Sequence, residues 1–222
     1  MAKPEPEIAE PKHGKFTAAQ KKVMAASCVG TLFEWYDFMV FGALAPVIAK
    51  QFFARADPAM GLIFALLTFA AGFLVRPLGA LVFGRLGDLV GRKYTFLVTI
   101  VIMGVATFLI GLVPNFDSIG LAAPIILVAL RLVQGLAVGG EYGGAAIYVA
   151  EHAPPGRSGE FTAWIQATGT LAFLMSLLVI LGVRTLLGEE AFVDWGWRIT
   201  FLLSIILLVI SVWIRLSMSE SP

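Results

Sequence analysis

Five ionisable side chains interrupt the long apolar stretches of this sequence, and their types are those that move protons and bind anions. They are Glu34, Asp37, Arg76, Arg131 and Glu141. A charged group within a lipid-spanning segment is costly, so it generally faces the protein interior or a water-filled path. Three acids against two arginines leave one negative charge, and an unpaired buried carboxylate tends to take up a proton. We therefore expect one acid to carry a proton, with Asp37 and Glu34 favoured by their depth.

That depth follows from the helical rise per residue. Glu34 lies about 18 Å and Asp37 about 22 Å from the start of the first apolar stretch, and Arg131 about 15 Å from the start of the fourth. Arg76 and Glu141 fall nearer the cytoplasmic side. The sequence thus predicts two layers, with Glu34, Asp37 and Arg131 at the middle of the membrane. The alternative is that the acids only pair with the arginines and fix the packing of the helices.

The fourth apolar stretch carries hydrogen-bonding groups along one face. At 100° per residue, one stripe about 120° wide holds Arg131, Gln134, Gly135, Val138, Glu141 and Tyr142. A guanidinium at mid-depth could bind a carboxylate through two parallel hydrogen bonds, or it could be the structural partner of Asp37 or Glu34. The glycines at 139, 140, 143 and 144 are spaced for close helix packing, and they could also let the helix flex.

The elements that position these residues are membrane helices. The chain of 222 residues is 59% hydrophobic and 14% charged, whereas soluble domains are near a quarter charged. Because lipid offers no partner for free backbone groups, we predict an all-α membrane domain over residues 21–217. Its six transmembrane helices are placed at about 22–49, 60–84, 94–113, 120–149, 160–186 and 197–216.

The ends of the chain and the loops set its orientation. Residues 1–20 are polar and proline-containing, which is typical of a disordered tail, and 218–222 read as the start of a cytoplasmic loop. With both termini inside, ten Lys and Arg residues lie on the cytoplasmic side and four outside, as the positive-inside rule requires. We expect a multi-pass protein of the cytoplasmic (inner) membrane whose N- and C-termini are both cytoplasmic.

The six spans form a weak internal repeat. The first and fourth are the most polar, and the third and sixth carry no Asp, Glu, Lys or Arg through their central cores. A 3+3 repeat of this kind is typical of transporters. It predicts that the first and fourth spans line a cavity while the third and sixth face lipid.

A short hydrophilic segment joins the second and third spans. It reads Gly84-Arg85-Leu86-Gly87-Asp88-Leu89-Val90-Gly91-Arg92-Lys93. Glycines permit sharp turning, so the segment predicts a tight turn between antiparallel helices. The flanking apolar hairpin favours a polytopic membrane protein, and a transporter in particular.

Several other classes of function are disfavoured. A net charge of +1 with scattered basic residues does not indicate nucleic-acid binding. The lone Cys28 allows no internal disulfide, and the two histidines lie in polar segments without a metal-binding pattern. No constellation suited to an enzyme occurs in the spans. We expect no cofactor and no metal.

The chain resembles the major facilitator superfamily, and within it the metabolite:proton symporters. The segment GRLGDLVGRK is similar to that superfamily's turn between helices 2 and 3, and RLVQGLAVGGEYGG to its helix-4 motif. Residues 30–38, GTLFEWYDF, and Arg76-Pro77-Leu78-Gly79 are similar to further motifs of the group. The resemblance covers nearly the whole chain beyond the tail.

The resemblance implies a fold, a function and a division of residues. The fold would be the N-terminal half of a major facilitator transporter, with a C-terminal six-helix half as its partner. The function would be proton-coupled symport of a small organic acid or zwitterionic solute. A substrate and proton pathway is implied at Glu34, Tyr36, Asp37, Arg131, Gln134, Glu141 and Tyr142. A cytoplasmic gate is implied at Arg76, Gly84, Asp88, Gly91 and Arg92. The alternative is a truncated or half-size membrane protein that does not transport without a partner half.

Overall fold

The computed structural model describes the backbone of residues 18–151, 153 and 157–216. Within these it describes the side chains of residues 28–91, 94–95, 97–140, 153, 157–160, 162–164, 166–214 and 216. Most of the predicted tail, and the predicted cytoplasmic loop at 218–222, lie outside the described residues.

The described residues form helices joined by short connections, and each predicted span corresponds to one helix or to several in series. The first span consists of α1 (Ala18–Ala43) and α2 (Ala45–Phe52), and the second of α3 (Pro58–Leu74) and α4 (Arg76–Val90). The third is α5 (Arg92–Leu112), followed by the short α6 (Phe116–Ile119). The fourth is α7 (Ala122–Glu151) and the fifth α8 (Ser158–Leu187). The sixth consists of α9 (Glu189–Ala191), a π-helical segment (Phe192–Gly196), α10 (Trp197–Leu202) and α11 (Ser204–Leu216).

Most of these helices have the length and apolarity needed to cross a membrane. Among the described residues four helical stretches qualify, namely Pro58–Val90, Ala122–Gly140, Ser158–Leu187 and Glu189–Ile214. A fifth is the bent pair Cys28–Ala43 and Ala45–Phe52, and Leu97–Leu112 forms a shorter apolar helix. Large apolar side chains on the outer surfaces, such as Leu74, Leu81 and Trp213, are well exposed. A surface of this kind matches lipid rather than water.

The first span is bent by 61° at Leu44. Pro46 lies in the first turn of α2, where its fixed backbone angle and missing N–H are tolerated. The far end of α2 is attached to the sixth span, because Gln51 Nε2 donates a 2.8 Å hydrogen bond to the carbonyl of Val193 in the π-helical segment. Phe52 adds an aromatic contact with Trp197, with ring centroids 5.8 Å apart.

The second and fourth spans pack backbone against backbone. A Cβ atom at Gly79 would overlap the carbonyl oxygen of Leu136, and one at Gly139 would overlap that of Arg76. A Cβ at Gly135 would likewise meet the carbonyl oxygen of Gly72. The predicted role of Gly139 in close helix packing is therefore confirmed, and this contact brings Arg76 close to α7.

The connection between the second and third spans is shorter than the sequence suggests. Helix α4 continues to Val90, so most of the segment expected to form a turn is helical. The chain reverses at Gly91, which has φ 103° and ψ 141°, a region open essentially to glycine alone. Its N–H bonds the carbonyl of Gly87 and its carbonyl accepts from Thr95 Oγ1 at 3.1 Å. Gly91 thus bonds the last turn of α4 through its N–H and the first turn of α5 through its carbonyl, so one residue is enough to connect the two helices.

The third and sixth spans expose large apolar side chains, such as Val105 and Val209, and each also has a buried face that the sequence does not predict. On α5 that face contains Thr95, Thr99 and Thr107, and on the sixth span it contains Ser204 and Ser211. A hydroxyl on a helix can bond a carbonyl one turn back, as Thr107 Oγ1 does to Met103 at 2.9 Å. Such residues are compatible with an apolar interior, so a count of charged residues does not reveal this face.

Candidate functional site

Arg131 lies in the interior of the bundle with no exposed surface. Its Nη1 atom donates to Gln134 Oε1 at 2.9 Å, and its Nη2 atom approaches the backbone carbonyl of Phe38 on α1 at 3.4 Å. The guanidinium carbon is 3.7 Å from the centroid of the Phe38 ring and 4.6 Å from that of Phe41. Aromatic faces attract a cation more strongly when water is excluded, so α1 and α7 are joined by a desolvated charge.

The hydrogen bond from Arg131 continues to the third span. Gln134 Nε2 donates to Thr107 Oγ1 at 2.6 Å, and Thr107 in turn donates to the carbonyl of Met103. Gln134 and Thr107 are both fully buried. The series fixes the rotamer of Gln134 and holds the position of Arg131, since each member has a partner on both sides.

Arg76 shares the Phe38 ring with Arg131, and its guanidinium lies against three aromatic rings. Its guanidinium carbon is 4.2 Å from the centroid of Phe73, 4.4 Å from Phe38 and 5.3 Å from Trp35. Its Nε and Nη2 atoms are buried and have no hydrogen-bond partner among the described residues. Those two atoms form one edge of the guanidinium, and that edge matches the two oxygens of a carboxylate.

The predicted separation of Arg76 from Arg131 into two layers does not extend to their charges. Both guanidiniums contact the ring of Phe38, and they are close enough to repel each other. An arginine side chain is long, so the depth of its Cα does not set the depth of its charge. Glu34 lies near enough to attract the Arg76 guanidinium, which offsets part of that repulsion.

Glu34 and Asp37 face a small cavity between α1, α5 and α11. Both are almost fully buried, at 6% and 5% exposure. The Oδ1 atom of Asp37 has no hydrogen-bond partner within the described part of the chain. Asp37 and Arg131 form no ion pair with each other, since the described contacts of Arg131 are with Gln134, Phe38 and the aromatic rings. The structure therefore brings the predicted residues together without pairing these two charges.

The remaining predicted residues are more dispersed. Tyr36 is buried, and its hydroxyl donates to the carbonyl of Thr200 at 3.1 Å, which attaches the first span to the sixth. Gly84 and Asp88 are exposed on α4. The side chains of Arg92, Glu141 and Tyr142 lie outside the described residues.

Three residues of the site are not indicated by the sequence analysis. Phe38 supplies the ring and the carbonyl that Arg131 contacts, Thr107 accepts from Gln134, and Ser211 lines the cavity with Asp37. For Phe38 a signal exists, because it immediately follows Asp37 in an unusually polar helix. Thr107 and Ser211 give none, since isolated hydroxyl residues are common in membrane helices.

The sequence of the chain is similar to those of known transporters. The family model described as "Sugar (and other) transporter" matches residues 22–222. The proline/betaine transporter of Escherichia coli K12 is 43% identical over 202 residues, which are 91% of this chain and 40% of that protein. The shikimate transporter of the same organism is 42% identical over 202 residues, or 90% of this chain and 46% of that protein. The chain thus spans less than half the length of these curated relatives.

Among solved structures the fold is similar to that of the xylose transporter XylE from E. coli. A partially occluded inward-open form of that protein gives a TM-score of 0.81 at 17% identity, over 92% of this chain and 51% of that one. In another solved structure, XylE is described as a proton:xylose symporter of the major facilitator superfamily. At such low identity the likeness shows the fold, which corresponds to the N-terminal half of the major facilitator architecture.

Proposed function

The chain belongs to the sugar (and other) transporter family of the major facilitator superfamily, and from that membership we propose that it is half of a proton-coupled symporter for a small organic acid or zwitterionic solute. It is a multi-pass membrane protein of a transporter family, and not an enzyme. The proposal gives it a C-terminal six-helix half as a partner, because alternating access moves one half against the other around a shared site. We place it in the cytoplasmic membrane with both termini inside.

The observation that carries the substrate class is the open edge of Arg76. Nε and Nη2 of this guanidinium are buried without hydrogen-bond partners in the described structure, and a buried donor without a partner is unfavourable. A solute carboxylate would bond both atoms and neutralise one of the two charges beside Phe38. Arg131 is already engaged by Gln134 and Phe38, so we assign to it the positioning of the cluster. Both named relatives are described as carriers of solutes, proline and betaine in one and shikimate in the other.

The same proposal assigns proton transfer to Asp37, with Glu34 as the second acid. A carboxylate in an apolar interior is costly when charged and without a partner, which favours the protonated form. Glu34 is attracted by Arg76, whereas Asp37 forms no ion pair with Arg131. We therefore place the transferred proton on Asp37. Tyr36, Gln134, Glu141 and Tyr142 complete the proposed pathway. Gly84, Asp88, Gly91 and Arg92 form the proposed cytoplasmic gate, and Arg76, which the family resemblance also assigns to that gate, is proposed here to bind the solute.

The test is uptake into proteoliposomes that contain this chain assembled with a C-terminal six-helix half. Radiolabelled proline, betaine and shikimate are supplied with and without an imposed pH gradient. The expected result is accumulation of at least one carboxylate-bearing solute, driven by an inward proton gradient and abolished by a protonophore. Accumulation that requires sodium and ignores the proton gradient would overturn the coupling, and transport confined to solutes without a carboxylate would overturn the substrate class.

Substitutions then separate the two acids. Asp37→Asn should lose gradient-driven accumulation but retain exchange of labelled for unlabelled solute, because exchange needs no net proton movement. Glu34→Gln should retain a larger share of accumulation. Undiminished proton-driven uptake by both variants would remove the carrier role from this pair.

A further inference from the structure

We propose that one ordered water molecule occupies the cavity beside Asp37 and links its carboxyl group to the hydroxyl of Ser211, forming the last step of the proton's path. The inference rests on the proposed symport function, since it concerns how the proton leaves its carrier. It adds a residue of the sixth span, Ser211, to a pathway otherwise built from the first and fourth.

The cavity has the size of a single water molecule. It lies between α1, α5 and α11 and offers about 20 Å³ to the centre of a water-sized sphere. A site needs roughly 10–15 Å³ on that measure to hold one water. Its walls include Met103 and Leu208, which are apolar, and three polar side chains, Glu34, Asp37 and Ser211.

Two of those polar groups require a partner. Asp37 Oδ1 and Ser211 Oγ are both buried, and within the described part of the chain neither has one. Buried polar atoms are normally satisfied by protein or by ordered water. A water that accepts from the Ser211 hydroxyl and donates to Asp37 would satisfy both groups, and Glu34 provides a third neighbour. Two to four polar partners are what a buried water generally has, whereas hard divalent cations take six or more oxygens.

The space exists because residue 104 is glycine. A Cβ atom there would stand 2.8 Å from a methyl carbon of Leu208, and both residues line the cavity. A larger residue at position 104 would therefore press Leu208 into the space that the water needs. Because Gly104 has no side chain, space remains where Asp37 and Ser211 line the same cavity.

The transfer conserves every atom. On release, the protonated Asp37 passes its proton to the cavity water, and that water passes one of its own protons to the Ser211 oxygen. The Ser211 hydroxyl gives up its original proton to water on the cytoplasmic side, near the end of α11. Serine and water end with the hydrogens they had at the start, and the net change is one proton lost from Asp37. Among the side chains that the structure describes, the charged groups near this path are Glu34 on α1, which lines the same cavity, and the two guanidiniums at Phe38.

The test compares two kinds of flux in the assembled transporter. Ser211→Ala should slow accumulation driven by a pH gradient by about tenfold or more, while solute exchange at equal pH stays within about twofold of the parent. Ser204→Ala is the matched control, because Ser204 is a buried serine on the same helix that also lacks a hydrogen-bond partner in the described structure but does not line the cavity. It should change neither flux. Ser211→Thr keeps a hydroxyl and should restore accumulation, and Gly104→Ala should reduce it.

The outcomes test the water link and the symport function separately. If Ser211→Ala accumulates solute as well as Ser204→Ala, the water link is wrong, while the symport function stands on the parent's own accumulation. If the parent shows neither accumulation nor exchange, the proposed function fails. The water is then judged separately by a high-resolution structure of the assembled protein. Density within hydrogen-bonding distance of both Asp37 and Ser211 supports it, and an empty or solute-filled cavity overturns it.

Discussion

Arg76 and Arg131 lie against the same aromatic ring, with guanidinium carbons 4.4 and 3.7 Å from the centroid of Phe38. One arginine comes from α4 and the other from α7, and the glycine contacts between those helices hold them together. Two positive charges so close repel each other, and the π-face between them offsets only part of that cost. The arrangement favours an anion, which is why a carboxylate-bearing solute is the expected ligand.

Replacement of Arg131 by lysine should impair transport although the charge remains. Lysine lacks the planar fork that reaches both Gln134 and the Phe38 carbonyl. Loss of hydrogen bonds from a charged group is worth about 1.5–3 kcal/mol each, so the initial rate of uptake should fall by about tenfold or more. Arg55→Lys is the control, because Arg55 is exposed and rests on Phe116 away from the cluster. Equal rates for the two variants would contradict a positioning role for Arg131.

Thr107→Val should destabilise the protein more than Thr68→Val does. Both threonines are buried and donate to a carbonyl one turn back, but Thr107 alone also accepts a bond, from Gln134. Valine at 107 leaves the buried Gln134 amide without that acceptor, at a cost of about 1–3 kcal/mol. The check is the midpoint of thermal unfolding in detergent, which should drop further for Thr107→Val. Equal midpoints would mean that Gln134 finds another partner.

Gly139→Ala should separate the second and fourth spans. The added Cβ would overlap the backbone of Arg76, which cannot move aside as a flexible side chain would, and overpacking of this kind costs about 1–3 kcal/mol. At Gly182 nothing lies within 4 Å of the position that a methyl group would take, so Gly182→Ala should be neutral or slightly stabilising. Thermal unfolding measures both, and a neutral Gly139→Ala would show that the helices have room to adjust.

Gly91→Ala should be strained, and Gly91→Asn equally so. Asparagine tolerates the left-handed helical region, but ψ of 141° places Gly91 outside it. Each variant should lose about 1–3 kcal/mol of stability. Gly84→Ala, in a helix with open space around it, is the control for stability. Recovery of the midpoint by asparagine would indicate that the turn relaxes into an ordinary left-handed conformation.

The sequence predicts the parts of the site that depend on a single helix. A spacing of three residues places Arg131 and Gln134 on one face of α7, and the structure confirms it with a direct hydrogen bond. Contacts between helices depend on how each helix is rotated about its axis, and the hydropathy pattern does not specify that rotation. The packed structure is therefore needed to show that Arg76 and Arg131 both contact Phe38. It is also needed to show that Thr107 accepts a hydrogen bond from Gln134. The sequence predicts the turn in the right segment but makes it too long, since Gly84 and Gly87 are poor helix formers and yet lie within α4, which continues to Val90.

The bend at Leu44 limits how the first span can move. Its upper piece, Ala45–Phe52, leaves the axis at 61° and is held to the sixth span by the bond from Gln51 to Val193. If the whole first span slid along its axis, the bond from Gln51 to Val193 would have to move or break. A swing about Leu44 would leave that bond in place. A swing of the lower piece, which carries Glu34 and Asp37, would have to break the bond from Tyr36 to the carbonyl of Thr200, and the acids would then tilt relative to the two arginines rather than travel past them.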